Sequence, residues 1–166
     1  MIFLGKISME KGKRKRKLGD IFGKKNDSIQ TPPEIYGELD SEHHFDFDPC
    51  PLKRPKWDGL KVPWGKSNFI NPPFSEIKKW LQKGIEEKKN GNKSVFLLTA
   101  RVSSKYWFDL VFPEASQISF LEGAFQFPGF ERKFPIPLAL VVFHPEGKEG
   151  FKPQKFLKKR ILNLEP

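Results

Sequence analysis

The chain has 166 residues, a net charge of +10, and 17 phenylalanines and four tryptophans with which to build a core, which fits one domain. Its single cysteine, Cys50, excludes an internal disulfide and a multi-cysteine zinc site and fits a reducing compartment. No apolar run approaches the length of a membrane span, and the opening Met1-Ile2-Phe3-Leu4 is too short for a secretory signal.

The charge is uneven. Residues 1–26 hold nine Lys/Arg against Glu10 and Asp20, a balance of +7, which leaves +3 (21 minus 18) for residues 27–166. Residues 1–27 therefore form a basic Gly/Lys-rich arm with little to bury, expected to stay disordered until it meets a polyanion. Arg14 and Arg16 are its candidate nucleic-acid contacts. The run Lys13-Arg14-Lys15-Arg16-Lys17 also reads as a nuclear localisation signal or a solubilising tail.

The folded domain is expected over residues 28–146. Pro33 to Asp40 predicts a short helix with Ile35 and Leu39 inward, since proline is well tolerated in a first turn. Phe45-Asp46-Phe47-Asp48 alternates apolar and acidic, as a short strand does, and Pro49 ends it. Residues 49–67 are proline-rich, carry Trp57 and Trp64, and predict an irregular packed loop. Asn68-Phe69-Ile70 is the next strand. From Ser75 to Asn90 the spacing of Ile77, Trp80, Leu81 and Ile85 predicts a helix, N-capped by Ser75 and closed by Gly91. Ser94 to Leu98 is apolar throughout, as in a buried parallel strand. Ser103 or Ser104 caps a second helix through Val111. Short strands are expected at Ile118-Ser119-Phe120 and Phe125-Gln126-Phe127, and a strong one at Leu138–Phe143. Residues 147–166 form a basic tail, helical from Pro153 to Ile161. Strand–helix alternation predicts an α/β sheet with parallel members.

Asn71-Pro72-Pro73-Phe74 lies between a strand and a helix, a place for chemistry. An exocyclic amine on a ring is a poor nucleophile because its lone pair is delocalised. An Asn oxygen and a prolyl carbonyl can each accept one of its N–H bonds, which encourages the nitrogen to pyramidalise. The prolines fix φ and bring no competing N–H, and the aromatic offers a base a stacking face. The plainer alternative is a Pro-Pro turn leading into the helix at Ser75.

Such an Asn/Asp-Pro-Pro-aromatic loop resembles the catalytic loop of amine-directed methyltransferases. The whole order of segments resembles the phage-type, Dam-like DNA N6-adenine methyltransferases. The segments are Gln30-Thr31-Pro32, Phe45–Pro49, Asp58-Gly59-Leu60 with Trp64, Asn71–Ser75, Leu97–Arg101, Trp107-Phe108, Phe134-Pro135 and Ala139–Phe143. The resemblance runs from about Ile29 to Pro145. It implies a compact Rossmann-like sheet flanked by helices, S-adenosyl-L-methionine as cofactor, and methyl transfer to adenine N6 in DNA with the base flipped onto the loop. It further implies that Asn71, Pro72, Pro73 and Phe74 are catalytic, and that Thr31, Pro32, Asp48, Pro49, Asp58 and Asn71 border the cofactor. Against these stand simpler roles: a helix start at Thr31-Pro32-Pro33, a strand-end turn at Asp48, a turn at Asp58-Gly59. Trp57, Trp64 and Trp107 are expected in the core. His43 and His44 lack a third ligand, and methyl transfer from a sulfonium needs no metal.

Three departures stand out. Only 22 residues separate Asp48 from Asn71, too few for the usual second strand, so ribose recognition would fall to another group such as Asp46. Pro49-Cys50-Pro51 stands where a glycine-rich loop would be, and Ala124 stands where a basic residue is expected. A second aromatic for the base would be Phe125, Phe127 or Trp107. Arg101, Lys105, Arg132 and Lys133 are the candidate contacts to phosphate or base. So few readers point to a short target or to a protein partner for target recognition. The alternatives are the same chemistry on an RNA adenine or a glutamine amide, or a catalytically silent nucleic-acid-binding module. The arm favours nucleic acid without separating DNA from RNA. A cytoplasmic location is expected, or a nuclear one in a eukaryote.

Overall fold

The computed structural model describes residues 29–53, 55–129, 132–147 and, for backbone alone, 153–155. The basic arm with Arg14 and Arg16, and the end of the tail, lie outside these residues.

Five strands make one sheet: β1 (Ser67–Ile70), β2 (Lys93–Thr99), β3 (Gln117–Leu121), β4 (Leu138–Phe143) and β5 (Pro153–Lys155), in the order β1-β2-β4-β3-β5. β1 and β2 are parallel, with Ile70 opposite Phe96. β4 runs antiparallel to both its neighbours, and β5 is parallel to β3. Among the described strands β4 alone is reversed. The expected Phe45–Asp48 strand is reduced to a parallel bridge between Phe47 and Asn68 at the β1 edge.

Both faces of the sheet are covered, which is why β2 and β4 are apolar at nearly every position. On one face Phe96, Leu98, Val141 and Phe143 pack with Trp64, Trp80, Leu81 and Trp107. On the other, Val95, Leu97, Leu140 and Val142 pack with Ile35 and Leu39 of helix α1 (Pro33–His43) and with Phe127 and Phe134. Helix α2 (Ile77–Lys89) supplies Trp80 and Leu81 to the first face. The result is mixed α/β, with a helix on each side of an open sheet.

Several expected boundaries move. α2 begins at Ile77, not Ser75, because the Pro73 carbonyl accepts the Glu76 N–H (3.0 Å) and closes a 3-10 turn over Phe74–Glu76 first. Its other end follows expectation: Gly91 has φ +82°, a left-handed value that suits glycine. The helix after Ser104 widens to a π turn at Trp107–Val111 and ends in a last α turn, Phe112–Glu114. Phe125–Phe127 is not a strand; the Phe134 N–H donates to the Phe125 carbonyl (2.7 Å), and Phe127 stands edge-on to the Phe134 ring. Pro153–Lys155, expected to open a helix, pairs with β3 instead. No described helix is long and apolar enough to cross a membrane.

Candidate active site

In an open α/β sheet, ligands collect outside the carboxyl ends of the strands. Asp48 follows the Phe47 bridge, Asn71 follows β1, and Ala100 and Arg101 follow β2, all at that edge. The reversal of β4 brings in its amino end as well. Leu138 pairs with Thr99, and the Ala100 N–H donates to the Pro137 carbonyl (2.7 Å). Residues 132–137 thus join the same edge.

Asn71 is tied to the segment before α1. Its Nδ2 donates to the Ile29 carbonyl (2.8 Å) and to Thr31 Oγ1 (3.0 Å). Both amide hydrogens are engaged, so Oδ1 is the polar atom this side chain has left to offer a ligand, as an acceptor. Pro72 is buried behind it. The Pro73 carbonyl serves the 3-10 turn, so Pro72 supplies the other prolyl carbonyl of the loop. Pro32 caps α1, its carbonyl accepting the Tyr36 N–H (3.1 Å).

Asp48 is half-buried, and its Oδ1 accepts the Cys50 N–H (2.8 Å). Burial pushes its carboxyl up to about 6 against the opposing pull of that bond. Tyr36 of α1 feels the same group. Its phenol is raised first by burial, then by the Asp40 and Asp48 carboxylates. Tyr36 stands edge-on to Phe69 (5.1 Å), which fixes α1 beside β1.

The 49–66 loop folds back over α2. A Cβ on Gly59 would collide with the Pro49 carbonyl and the Trp80 ring, and the Gly59 carbonyl accepts Trp64 Nε1 (2.7 Å). Asp58, by contrast, is exposed; Oδ1 accepts its own turn's Leu60 N–H (3.0 Å) and Oδ2 faces Lys61 (3.5 Å). Asp46 is taken up likewise. Its two oxygens accept the N–H groups of Lys66 and Ser67 (both 3.0 Å), so it holds the loop to β1.

Phe74 is half-buried and lies parallel to Phe134, with centroids 6.2 Å apart and 6° between planes. Of the second aromatics expected, Trp107 is 0 % exposed and Phe127 3 %, so both are core; Phe125 is half-buried. Trp64 is core as well, whereas Trp57 is exposed and tilts against Phe47. The sequence does not single out Phe134 as a platform, because Phe-Pro occurs twice along 125–135 and nothing local says which ring faces Phe74. Arg101, Arg132 and Lys133 are exposed in the loops of this edge, and Lys105 is exposed in the first helical turn that follows Arg101. Val102 and Phe108 are exposed beside the first pair, an apolar component that the basic residues alone did not signal.

His43 stacks on Phe45 (5.7 Å), and His44 closes α1 with φ 52°. Among the described residues no group of three or more His, Cys, Asp and Glu is placed to hold a metal.

No curated protein matches the chain. A model of the DNA N-6-adenine-methyltransferase (Dam) family matches residues 20–137, a span that takes in Thr31, Asp48, Asn71, Phe74 and Phe134. With more than two thirds of its length matched, the chain belongs to the DNA N-6-adenine-methyltransferase (Dam) family.

Proposed function

We propose that this protein transfers a methyl group from S-adenosyl-L-methionine to the N6 amine of adenine in DNA, with the base flipped onto Phe74. Family membership supports the reaction. The observation that carries the site is the convergence of Asn71, Phe74 and Asp48 at one sheet edge, with Asn71 oriented to accept.

S-adenosyl-L-methionine, when bound, supplies an electrophilic methyl on a sulfonium. Asp48 fits such a ligand: it is a desolvated carboxyl at a strand end, with one oxygen on Cys50 and a second suited to a cation or an N–H donor. Thr31, Pro32, Pro49 and Asn71 frame the same edge. Asp58, engaged by its own turn and by Lys61, contributes less.

The target base must leave the duplex, which costs roughly a few kcal/mol. Stacking on one aromatic returns about 1–3 kcal/mol, so Phe74 offsets much of that cost. The two N6 hydrogens then donate to Asn71 Oδ1 and the Pro72 carbonyl. With both hydrogens held there, the N6 lone pair would be left free to face the electrophilic methyl of a bound cofactor, and the proton that N6 must shed on methylation would leave to water. The chain's own contribution is mainly positioning. Arg101, Lys105, Arg132 and Lys133 hold phosphates, and the exposed Phe108 lies on the same approach.

Incubation with methyl-labelled cofactor and parallel samples of DNA, RNA and protein tests this. Label on adenine N6 of DNA, lost in Asn71→Ala, is expected. Label confined to RNA or to a glutamine amide would replace the substrate. No label, together with no cofactor binding by calorimetry, would leave a nucleic-acid-binding module.

A further inference from the structure

We propose that Ile29 and Thr31 are positioning residues that clamp the Asn71 amide in one orientation and thereby make asparagine, rather than aspartate, obligatory at position 71. The inference rests on the methyl-transfer reading for its kinetic consequences, but not for its geometry.

A backbone carbonyl can only accept. The Asn71 atom 2.8 Å from the Ile29 carbonyl is therefore nitrogen. Rotating the amide by half a turn would set Oδ1 against that carbonyl, lone pair to lone pair. The second hydrogen has its own acceptor, Thr31 Oγ1 at 3.0 Å. Thr31 is itself held, because the next residue, Pro32, has its φ fixed by its ring and caps α1. An Asp at 71 could accept the same N6 hydrogens on chemical grounds. In this chain, however, it has no donor for the Ile29 carbonyl, and one carboxylate oxygen would face that carbonyl at close range. The clamp also gives the Thr31 hydroxyl a partner within the protein, so its role need not be a direct contact to the cofactor.

The test uses the full-length protein with Thr31→Val, Thr31→Ser and Asn71→Asp. Thr31→Val should lower kcat roughly tenfold, the effect of one lost neutral hydrogen bond, with cofactor affinity by calorimetry changed less than about twofold. Thr31→Ser, which keeps the hydroxyl, should restore most of the turnover. Asn71→Asp should lose roughly 100-fold or more in kcat. A Thr31→Val variant that keeps kcat but loses cofactor affinity would make Thr31 a cofactor ligand and overturn the clamp; so would an Asn71→Asp enzyme within tenfold of wild type. A readout independent of activity separates this from failure of the methyl-transfer reading. The Asn71 side-chain NH2 resonances, assigned by their loss in Asn71→Ala, should exchange slowly in the wild type and faster in Thr31→Val. Unchanged exchange refutes the clamp. Protected exchange in a protein that methylates nothing keeps the clamp and removes the reaction.

Discussion

Phe74 lies almost parallel to Phe134, with 6.2 Å between ring centroids, although 60 positions separate them. Phe134 is 3 % exposed and stands edge-on to Phe127 at 5.2 Å, so the ring behind Phe74 is itself fixed. A loop aromatic backed in this way loses little side-chain freedom when a base stacks on it.

Phe134→Leu should therefore raise the KM for DNA several-fold and leave cofactor affinity unchanged. Phe134→Ala should in addition destabilise the fold by about 3–5 kcal/mol, as buried Phe-to-Ala changes do. Steady-state kinetics and chemical denaturation check both. A Leu variant with wild-type KM for DNA would show that Phe134 is core filler without influence on the loop.

Asp48 gives a prediction with a sign. Burial raises its carboxyl from the ordinary 3.8 to about 6. The folded protein then holds this proton more tightly than the unfolded chain, and ionisation opposes folding. That penalty is absent below pH 3.8, grows between 3.8 and 6, and is complete above 6. A shift of that size corresponds to no more than about 3 kcal/mol. Asp48→Asn keeps an acceptor for Cys50 and removes the penalty, so the ligand-free variant should melt at a higher temperature than wild type at pH 7. The same change should weaken cofactor binding. In the wild type that affinity should be level above pH 6 and fall as the carboxylate is protonated below it; in the variant it should be low and flat. Melting scans and calorimetry from pH 5 to 8 test this, and a variant both less stable and equally tight-binding would make Asp48 purely structural.

What was legible in the sequence follows from how local each cause is. The uninterrupted apolar run Leu138–Phe143 gave a strand with its true ends, and Ile35 and Leu39 gave the inward face of α1. Ser75 looked like a cap, but Pro73 lies two residues earlier and its carbonyl starts a tighter turn. Phe125-Gln126-Phe127 had strand alternation but meets Phe134 across a loop, through a hydrogen bond at Phe125 and ring packing at Phe127, and joins no strand ladder. The candidate site could be read from the sequence as residue types but not as partners. Nothing local says that Asn71 donates to a carbonyl 42 positions away, or that both oxygens of Asp46 are taken by residues 66 and 67. The reversal of β4, which delivers residues 132–137 to the edge that carries Asn71, is likewise a tertiary fact.

Gly59 is where the shortened loop depends on a missing side chain. Any Cβ there meets the Pro49 carbonyl and the Trp80 ring, one of them backbone and the other buried. Gly59→Ala should cost about 1–3 kcal/mol, the range for forced overpacking. Because Pro49 follows Asp48 directly, the variant should lose more affinity for cofactor than for nucleic acid. Equal losses, or none, would show that the loop yields without moving Asp48.

The basic arm joins the described chain at Ile29, whose carbonyl accepts from Asn71 at 2.8 Å. Its point of attachment is thus the edge that carries Arg101, Lys105, Arg132 and Lys133. Residues 1–26 hold nine of the 30 basic residues, and the rest of the chain is only +3. If the arm grips phosphate, each contact contributes roughly 0.9 to the slope of log affinity against log salt for duplex DNA. Deleting residues 1–26 should then reduce that slope by several units, raise the KM for DNA more than it lowers kcat, and leave cofactor affinity intact. A localisation signal would instead be idle in purified protein. Binding curves at two salt concentrations separate the two. Superimposable slopes for the full-length and truncated proteins would mean that residues 27–166 hold DNA alone, through the exposed basic loops around Asn71 and Phe74.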